Sequence, residues 1–292
     1  MITMSKSLNI KILISLFFLF FLFELFYKNQ AKAACTSVNG VLQSDSVNSS
    51  CETQPEIYQV RIYQVMLCTS QPTAPTTSTS SGLSMCQNLI SNDTGSVVRI
   101  DEIGGDGQTI AGDTNDAIAN RSYTWSVVKL DNTFGIQGSF QFADPYNGEV
   151  SGSGNYCATS GNSGTKTSTA EPDNTSICDS SPVTAQTYTI TRTSFTGDGR
   201  GVFSAVVEVT GINDGTDFNA YLIDSGDRLS ENDDDSDKII AFIKLPSAIN
   251  VGSGGTFQVK FNMGEGIGVD GIGGEINFDE GPFEMDLTYT PA

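Results

Sequence analysis

The sequence predicts an all-β protein, built as an antiparallel β-sandwich or jelly roll with disulfide-stapled loops and preceded by a signal peptide. Three observations support this prediction. Apolar residues alternate with polar ones at a period of two along most of the chain, whereas helical periodicity is nearly absent. Gly, Asp and Asn cluster in short turns between the alternating runs. All six cysteines lie after residue 33, and an even count is typical of the disulfide framework of an exported chain.

Residues 1–33 have the order of a secretory signal peptide. Lys6 and Lys11 precede an apolar run at 12–23, and the segment ends in a small-x-small pattern at 31–33. The alternative is an uncleaved membrane anchor, but the run is shorter than the roughly 18 apolar residues of a span. We therefore expect export through the general secretory route, a secreted or cell-surface location, and no membrane span after the signal has been cleaved.

The strand predictions rest on runs in which large apolar residues occupy every second position, as in strands with one buried and one wet face. The clearest of these runs lie at 56–68, 123–127, 134–142, 203–209, 256–263 and 283–290. Asp131, Asn132 and Thr133 favour a hairpin turn between the second and the third of them.

A segment at 151–183 is poor in large apolar residues, and it predicts a linker or loop stapled by its two cysteines. It would divide an N-terminal β part at 34–150 from a C-terminal β part at 184–292. One continuous β-sandwich over 34–292 is the alternative.

The cysteines predict three structural disulfides. Six cysteines allow 15 pairings, and locality favours the pairing of each cysteine with its neighbour in the chain. Each such disulfide closes a loop of about 15 to 20 residues, worth about 3 kcal/mol in the chain-entropy model. The predicted pairs are Cys35–Cys51, Cys68–Cys86 and Cys157–Cys178.

Composition excludes several classes of function. The chain has no histidine, so neither a Ser-His-Asp site nor a zinc site with a histidine ligand can form. The signal segment carries four lysines and one glutamate, so its removal takes the formal net charge from -19 to -22. Nucleic acids and anionic membranes bind basic surfaces, so we expect neither as a partner.

The acidic loop at 224–237 is the strongest local signal for a metal. Calcium prefers six to eight oxygen ligands, which alternating carboxylates on an irregular loop can supply. The alternative is a solvated acidic turn that keeps the molecule soluble. Calcium is thus the one cofactor that the sequence suggests. The candidate ligands are Asp224, Asp227, Glu231, Asp233, Asp235 and Asp237.

The function that these features favour is structural and non-enzymatic: a surface-layer or filament subunit, or an adhesin-like module. Strands reach residue 290, so the run at 283–290 could pair with a neighbouring subunit. The expected partners are other copies of the chain or cell-surface components. The first alternative is a soluble, calcium-dependent or calcium-independent domain that binds a ligand or carbohydrate. The second is a hydrolase that uses carboxylates, but no spacing singles out a catalytic pair, so no catalytic residue is assigned.

Overall fold

The computed structural model describes residues 33–100, 110–113, 118, 120–167, 171–194, 202–205, 218–252, 255–281 and 284–291. The predicted signal peptide lies outside the described residues, apart from Ala33, and so does the end of the alternating run at 203–209.

Strands account for nearly all regular structure in the described part of the chain. The first half contains the short helix α1 and ten strands. These are β1 (Ala33–Ala34), β2 (Ser37–Val38), β3 (Val41–Leu42), α1 (Ser44–Val47), β4 (Cys51–Thr53), β5 (Ile57–Cys68), β6 (Cys86–Ile100), β7 (Ile110–Asp113), β8 (Arg121–Gln137), β9 (Ser139–Gly148) and β10 (Ser153–Thr159).

The second half contains ten more strands and one turn of 3-10 helix. These are β11 (Ser163–Lys166), β12 (Ser176–Asp179), β13 (Tyr188–Arg192), β14 (Val202–Ala205), β15 (Phe218–Ile223), β16 (Lys238–Val251), β17 (Thr256–Asn262), β18 (Ile267–Asp270), the 3-10 turn Ile272–Gly274, β19 (Glu275–Glu280) and β20 (Glu284–Thr290).

The strands form three sheets. A nine-stranded sheet has the order β1-β4-β18-β19-β9-β10-β12, with β3 beside β9 and β2 beside β3. An eight-stranded sheet has the order β11-β13-β8-β16-β15-β14, with β5 on the other edge of β8 and β6 beside β5. A smaller sheet has the order β20-β17-β7. The predicted all-β class is therefore confirmed.

Strands from both sides of the segment 151–183 lie in the same sheets. In the eight-stranded sheet β8 pairs with β13 and β16, and in the nine-stranded sheet β4 pairs with β18. If either half folded alone, it would lose these strand pairings. The division into an N-terminal and a C-terminal part stays a prediction, which the folding of truncated chains would test.

The hairpin expected at residues 131–133 is wrong, because β8 runs through these residues without a turn. Asn132 is buried there, and its Nδ2 donates to the carbonyl oxygen of Ser236 at 3.0 Å. The chain instead changes sheet at Gly138, between β8 and β9. A Cβ atom at Gly138 would lie 2.6 Å from the ring of Phe140, so only glycine fits this corner without a shift of that ring.

The three local disulfides form as predicted. Cys68–Cys86 joins β5 to β6, and Cys157–Cys178 joins β10 to β12, in both cases between residues that face each other in the strand register. Cys35–Cys51 fixes the segment between β1 and β2 to β4. The described residues contain no free cysteine.

Side chains from all three sheets pack into one main hydrophobic cluster. Phe278 comes from the nine-stranded sheet, Ile190 from the eight-stranded sheet and Phe257 from the small sheet. A second cluster around Trp125 lies on the eight-stranded sheet and includes the Cys68–Cys86 sulfurs. Leu83 and Leu229 pack against it from two loops. Both faces of the eight-stranded sheet thus bury apolar side chains.

Candidate functional site

Four charged side chains meet where the nine-stranded and eight-stranded sheets come together. β11 and β13 are parallel neighbours, and their register places Lys166 directly beside Arg192. Asp279 and Glu280 are consecutive residues at the end of β19. The Lys166 Nζ contacts the Asp279 Oδ2, and the Arg192 guanidinium contacts the Glu280 Oε1. Two cations of one sheet thus face two carboxyls of the other.

These side chains are largely withdrawn from solvent. The exposed fraction of the side chain is 17% for Lys166, 12% for Asp279, 16% for Arg192 and only 4% for Glu280. Unpaired charges at such positions would be costly, so mutual neutralisation is a condition for burying them. Glu171, from the loop after β11, adds a third carboxylate 2.6 Å from the Lys166 Nζ, but its side chain is 67% exposed.

Burial and neighbouring charge separate the pKa values of the two carboxyls. Burial raises the pKa of Glu280 to about 8; Arg192 opposes this shift and Asp279 adds to it. Burial also disfavours the charged form of Asp279, but the hydrogen bond from Glu280 and the charges of Lys166 and Arg192 outweigh it and lower its pKa to about 2. Two carboxyls this close ionise one after the other. The pair titrates as a unit, and Glu280 gives up its proton at a higher pH than Asp279 does.

Burial and the neighbouring carboxyls also shift the pKa values of the two cations. Burial lowers the pKa of Lys166, but the charge of Asp279 outweighs it, and the net shift is upward. The pKa of Arg192 is raised in the same way: burial opposes its charge, and Glu280 and Asp279 more than compensate.

Two tyrosines border the cluster. Tyr58 is fully buried, and its hydroxyl donates to the carbonyl oxygen of Gly281 at 3.3 Å. The Tyr188 hydroxyl donates to the carbonyl oxygen of Asp173 at 2.6 Å, and burial raises the pKa of Tyr188 to about 12. Both phenols are therefore neutral hydrogen-bond donors across the ordinary pH range.

A cavity of about 510 Å³ opens beside this cluster, and five carboxylate residues line it together with Lys166. Several of these carboxylates have partners within the fold. Glu149 accepts hydrogen bonds from the Thr175 backbone N–H at 2.7 Å and from Asn277 Nδ2 at 2.9 Å. Asp270 accepts one from the Ser50 hydroxyl at 2.7 Å. The five are Glu149, Glu171, Asp270, Glu275 and Asp279.

The structure distributes the carboxylates of the loop at 224–237 among separate partners. Asp224 accepts two hydrogen bonds from the Arg228 guanidinium, at 2.9 and 2.7 Å. Asp227 forms an ion pair of 2.5 Å with Lys129, and Asp237 contacts Lys238. Asp235 accepts the backbone N–H groups of residues 231 and 232, at 3.0 and 3.2 Å.

No three of the six predicted calcium ligands converge: the described part of the chain contains no group of three or more Cys, Asp or Glu side chains arranged to hold a metal. The loop is also tied to its surroundings, because the Leu229 backbone N–H donates to the carbonyl oxygen of Thr76 at 3.0 Å. Calcium binding by this loop is not tested by these contacts, but it would require Asp224, Asp227 and Asp237 to change partners.

Sequence reasoning missed the charged cluster. The chain has 34 acidic residues and only 15 Lys and Arg, so acidic residues alone do not mark a site, and the scarcer cations are the better guide. Even so, Lys166 and Asp279 are 113 positions apart. Only the sheet register brings them together.

Comparisons with other proteins add no resemblance to this picture. No protein-family model matches the chain. Neither the curated proteins nor the solved structures include a significant match. In the described residues, no helix has the length and apolar character needed to cross a membrane.

Proposed function

We propose that the protein is an exported, non-enzymatic structural component of a cell surface or extracellular assembly. In this proposal the chain adopts a β-sandwich or jelly-roll arrangement, with the nine-stranded and eight-stranded sheets on either side of the main hydrophobic cluster. The three disulfides are consistent with an extracellular location.

The observation that supports the assembly role is the position of β20 at the end of the small sheet, as far as the described residues show. Within the part of the chain that the structure describes, β17 is the one strand that pairs with β20, and β20 ends the small sheet. The outer edge of a terminal strand presents backbone donors and acceptors that another chain can pair with. Thr288 and Thr290 are exposed on this strand. We infer that copies of the chain associate through this edge.

A charged substitution at the edge tests this proposal. Thr288→Lys places a cation on the exposed side of β20, and lysine at an edge strand opposes pairing. In sedimentation velocity, the wild type should associate as its concentration rises. The variant should need at least about ten times more protein for the same association, a change of about 1.4 kcal/mol.

Gln141→Lys is the matched control. Gln141 is exposed, but β9 is paired on both edges at this position, with residues 41 and 156. This variant should associate as the wild type does, and both variants should melt at the wild-type temperature. A wild type that stays monomeric at every concentration and is not retained at the cell surface would refute the structural role.

A soluble binding domain is the second candidate, and the carboxylate-lined cavity is the observation that favours it. Such a domain would be monomeric and would bind a cation or a polar ligand such as a carbohydrate. Monomeric behaviour together with saturable binding, measured by calorimetry, would favour it over assembly.

A further inference from the structure

We propose that Lys166 and Asp279 condense to form an intramolecular isopeptide bond that joins the eight-stranded sheet to the nine-stranded sheet. The bond forms between the Nζ of Lys166 and the Cγ of Asp279. This covalent link is a property of the folded chain and does not depend on the proposed assembly role.

The two side chains lie close enough to react. The Lys166 Nζ contacts an Asp279 carboxyl oxygen, so the nucleophile already lies next to the carbon that it would attack. The strand register of β11 against β13 fixes the lysine, and β19 fixes the aspartate. Groups held in this way react as if at very high concentration, because the entropy of bringing them together has been lost on folding.

The adjacent carboxyl of Glu280 can assist the reaction. Glu280 holds its proton to a higher pH than Asp279 does, and it hydrogen-bonds to Asp279. A protonated carboxyl in that position polarises the Asp279 carbonyl and stabilises the oxyanion that develops when the amine adds. Glu280 is therefore assigned as the general acid of this step.

The condensation needs only Lys166, Asp279 and Glu280 as reacting groups. Within the ion pair, the Lys166 ammonium transfers one proton to the Asp279 carboxylate, which leaves a neutral amine and a neutral acid. The ion pair is the more stable form, because the pKa of Lys166 is raised and that of Asp279 is lowered. The proton transfer therefore costs free energy and is part of the barrier to the condensation. The amine adds to Cγ, Glu280 protonates the departing hydroxyl, and Glu280 regains a proton from the nitrogen. One amide and one water are formed, and Glu280 is unchanged.

The cavity beside Asp279 gives the released water a path to solvent.

The other lysine pairs show why this one is singled out. Lys129 forms an ion pair with Asp227 at 2.5 Å, and its side chain is 14% exposed, but Asp227 is 42% exposed. Lys238 contacts its own neighbour Asp237, which is 49% exposed. Among the described lysine pairs, only Lys166–Asp279 combines two largely buried partners with a second buried carboxyl, Glu280, beside them.

The mass of the intact protein tests the bond directly. After reduction, alkylation and determination of the N-terminus, the wild type should weigh one water less than its sequence. After proteolysis, the peptides that contain Lys166 and Asp279 should be recovered as one branched species. A wild type of full mass, with these two peptides separate, would overturn the proposal whatever the variants do.

Three variants locate the chemistry. Lys166→Arg keeps the cation but cannot form the amide, so its mass should equal that of its sequence. Lys129→Arg, the matched control at another largely buried lysine, should still lose one water. Glu280→Gln should fold normally. After refolding, its isopeptide bond should form at least tenfold more slowly than that of the wild type. Loss of water in Lys166→Arg, or linkage of Glu280→Gln at the wild-type rate, would contradict the assigned nucleophile or the assigned acid.

Discussion

At the scale of single residues, Glu280 shows how one buried carboxyl makes stability depend on pH. An acid whose pKa is higher in the folded chain binds its proton more tightly when folded. For Glu280 this stabilisation is fully present below the ordinary value of 4.5 and is lost as the pH rises through about 8. Asp279 acts in the opposite sense, because its stabilisation is present above 3.8 and is lost as the pH falls toward 2.

We therefore predict that the free energy of unfolding falls between pH 5 and pH 8. One pKa unit corresponds to about 1.4 kcal/mol, so the fall should be on the order of a few kcal/mol. Glu280→Gln removes the titrating group and should flatten this slope in urea titrations at several pH values. Glu56→Gln, which alters a half-buried glutamate that accepts a hydrogen bond from Ser139 at 3.1 Å, is the control for the loss of a glutamate outside the cluster. Equal slopes in the wild type and Glu280→Gln would rule out this account.

The acid side of the profile connects this prediction to the isopeptide bond. In a linked chain Asp279 is part of an amide and no longer titrates. The loss of stability toward pH 2 that Asp279 causes should therefore appear in Lys166→Arg and be absent from the wild type.

The residue scale also shows what the sequence could and could not foretell. The pairing of the cysteines followed from separations of 16, 18 and 21 residues, which short loops make probable. The pairing of Lys166 with Asp279 depends on the register of three strands in two sheets, and no local pattern encodes it. Short-range contacts are readable from the chain, whereas long-range charge pairs are not.

At the scale of elements, period-2 alternation was a reliable guide to strands. The runs at 256–263 and 283–290 predicted β17 and β20, and the structure pairs these two strands in antiparallel register. The rings of Phe257 and Tyr289 lie 4.9 Å apart across that pair. Turn residues were a weaker guide. Asp131 and Asn132 favour turns locally, but the register of β16 against β8 holds them in a strand.

In the acidic loop at 224–237, too, the local sequence pattern and the contacts in the folded chain point to different roles. Alternating carboxylates suggest calcium, yet Asp224, Asp227 and Asp237 already contact cations of the protein. A calcium ion would have to displace these partners. We therefore predict that calcium raises the melting temperature no more than magnesium does at equal ionic strength, since both mainly screen the negative charge.

Replacement of Asp233, Asp235 and Asp237 by Asn provides the comparison, with differential scanning fluorimetry as the measurement. The calcium-induced shift should survive in this variant. A shift that is specific for calcium and disappears in the variant would instead establish the loop as a calcium site, because an ion that binds the folded state stabilises it by mass action.

At the scale of the whole molecule, the sheets are held together by the main hydrophobic cluster and by covalent links. Two disulfides lie within the nine-stranded sheet or at its margin, and one lies within the eight-stranded sheet. None of them joins these two sheets to each other. The Lys166–Asp279 contact does so, and its loop of 113 positions is several times longer than any that a disulfide closes.

This difference predicts how the molecule responds to reduction. In the chain-entropy model each disulfide here contributes about 3 kcal/mol, whereas a link that closes a loop of about 100 residues contributes about 5 kcal/mol. Reduction should therefore lower the melting temperature of the wild type but leave the link between the sheets intact. Reduced Lys166→Arg has neither kind of link. We expect it to melt roughly 10 to 20 °C below the reduced wild type, since a domain of this size shifts by about 2–4 °C per kcal/mol.

Calorimetry with and without reductant, on both proteins, measures this difference, and thiol labelling checks the starting material. Before reduction, alkylation should label none of the six cysteines, because all are paired within one chain. Free thiols on two or more cysteines of the freshly isolated protein would contradict the disulfide framework and its extracellular setting. If the reduced wild type is linked and yet melts together with reduced Lys166→Arg, the bond exists but does not restrict the unfolded chain as the entropy argument requires.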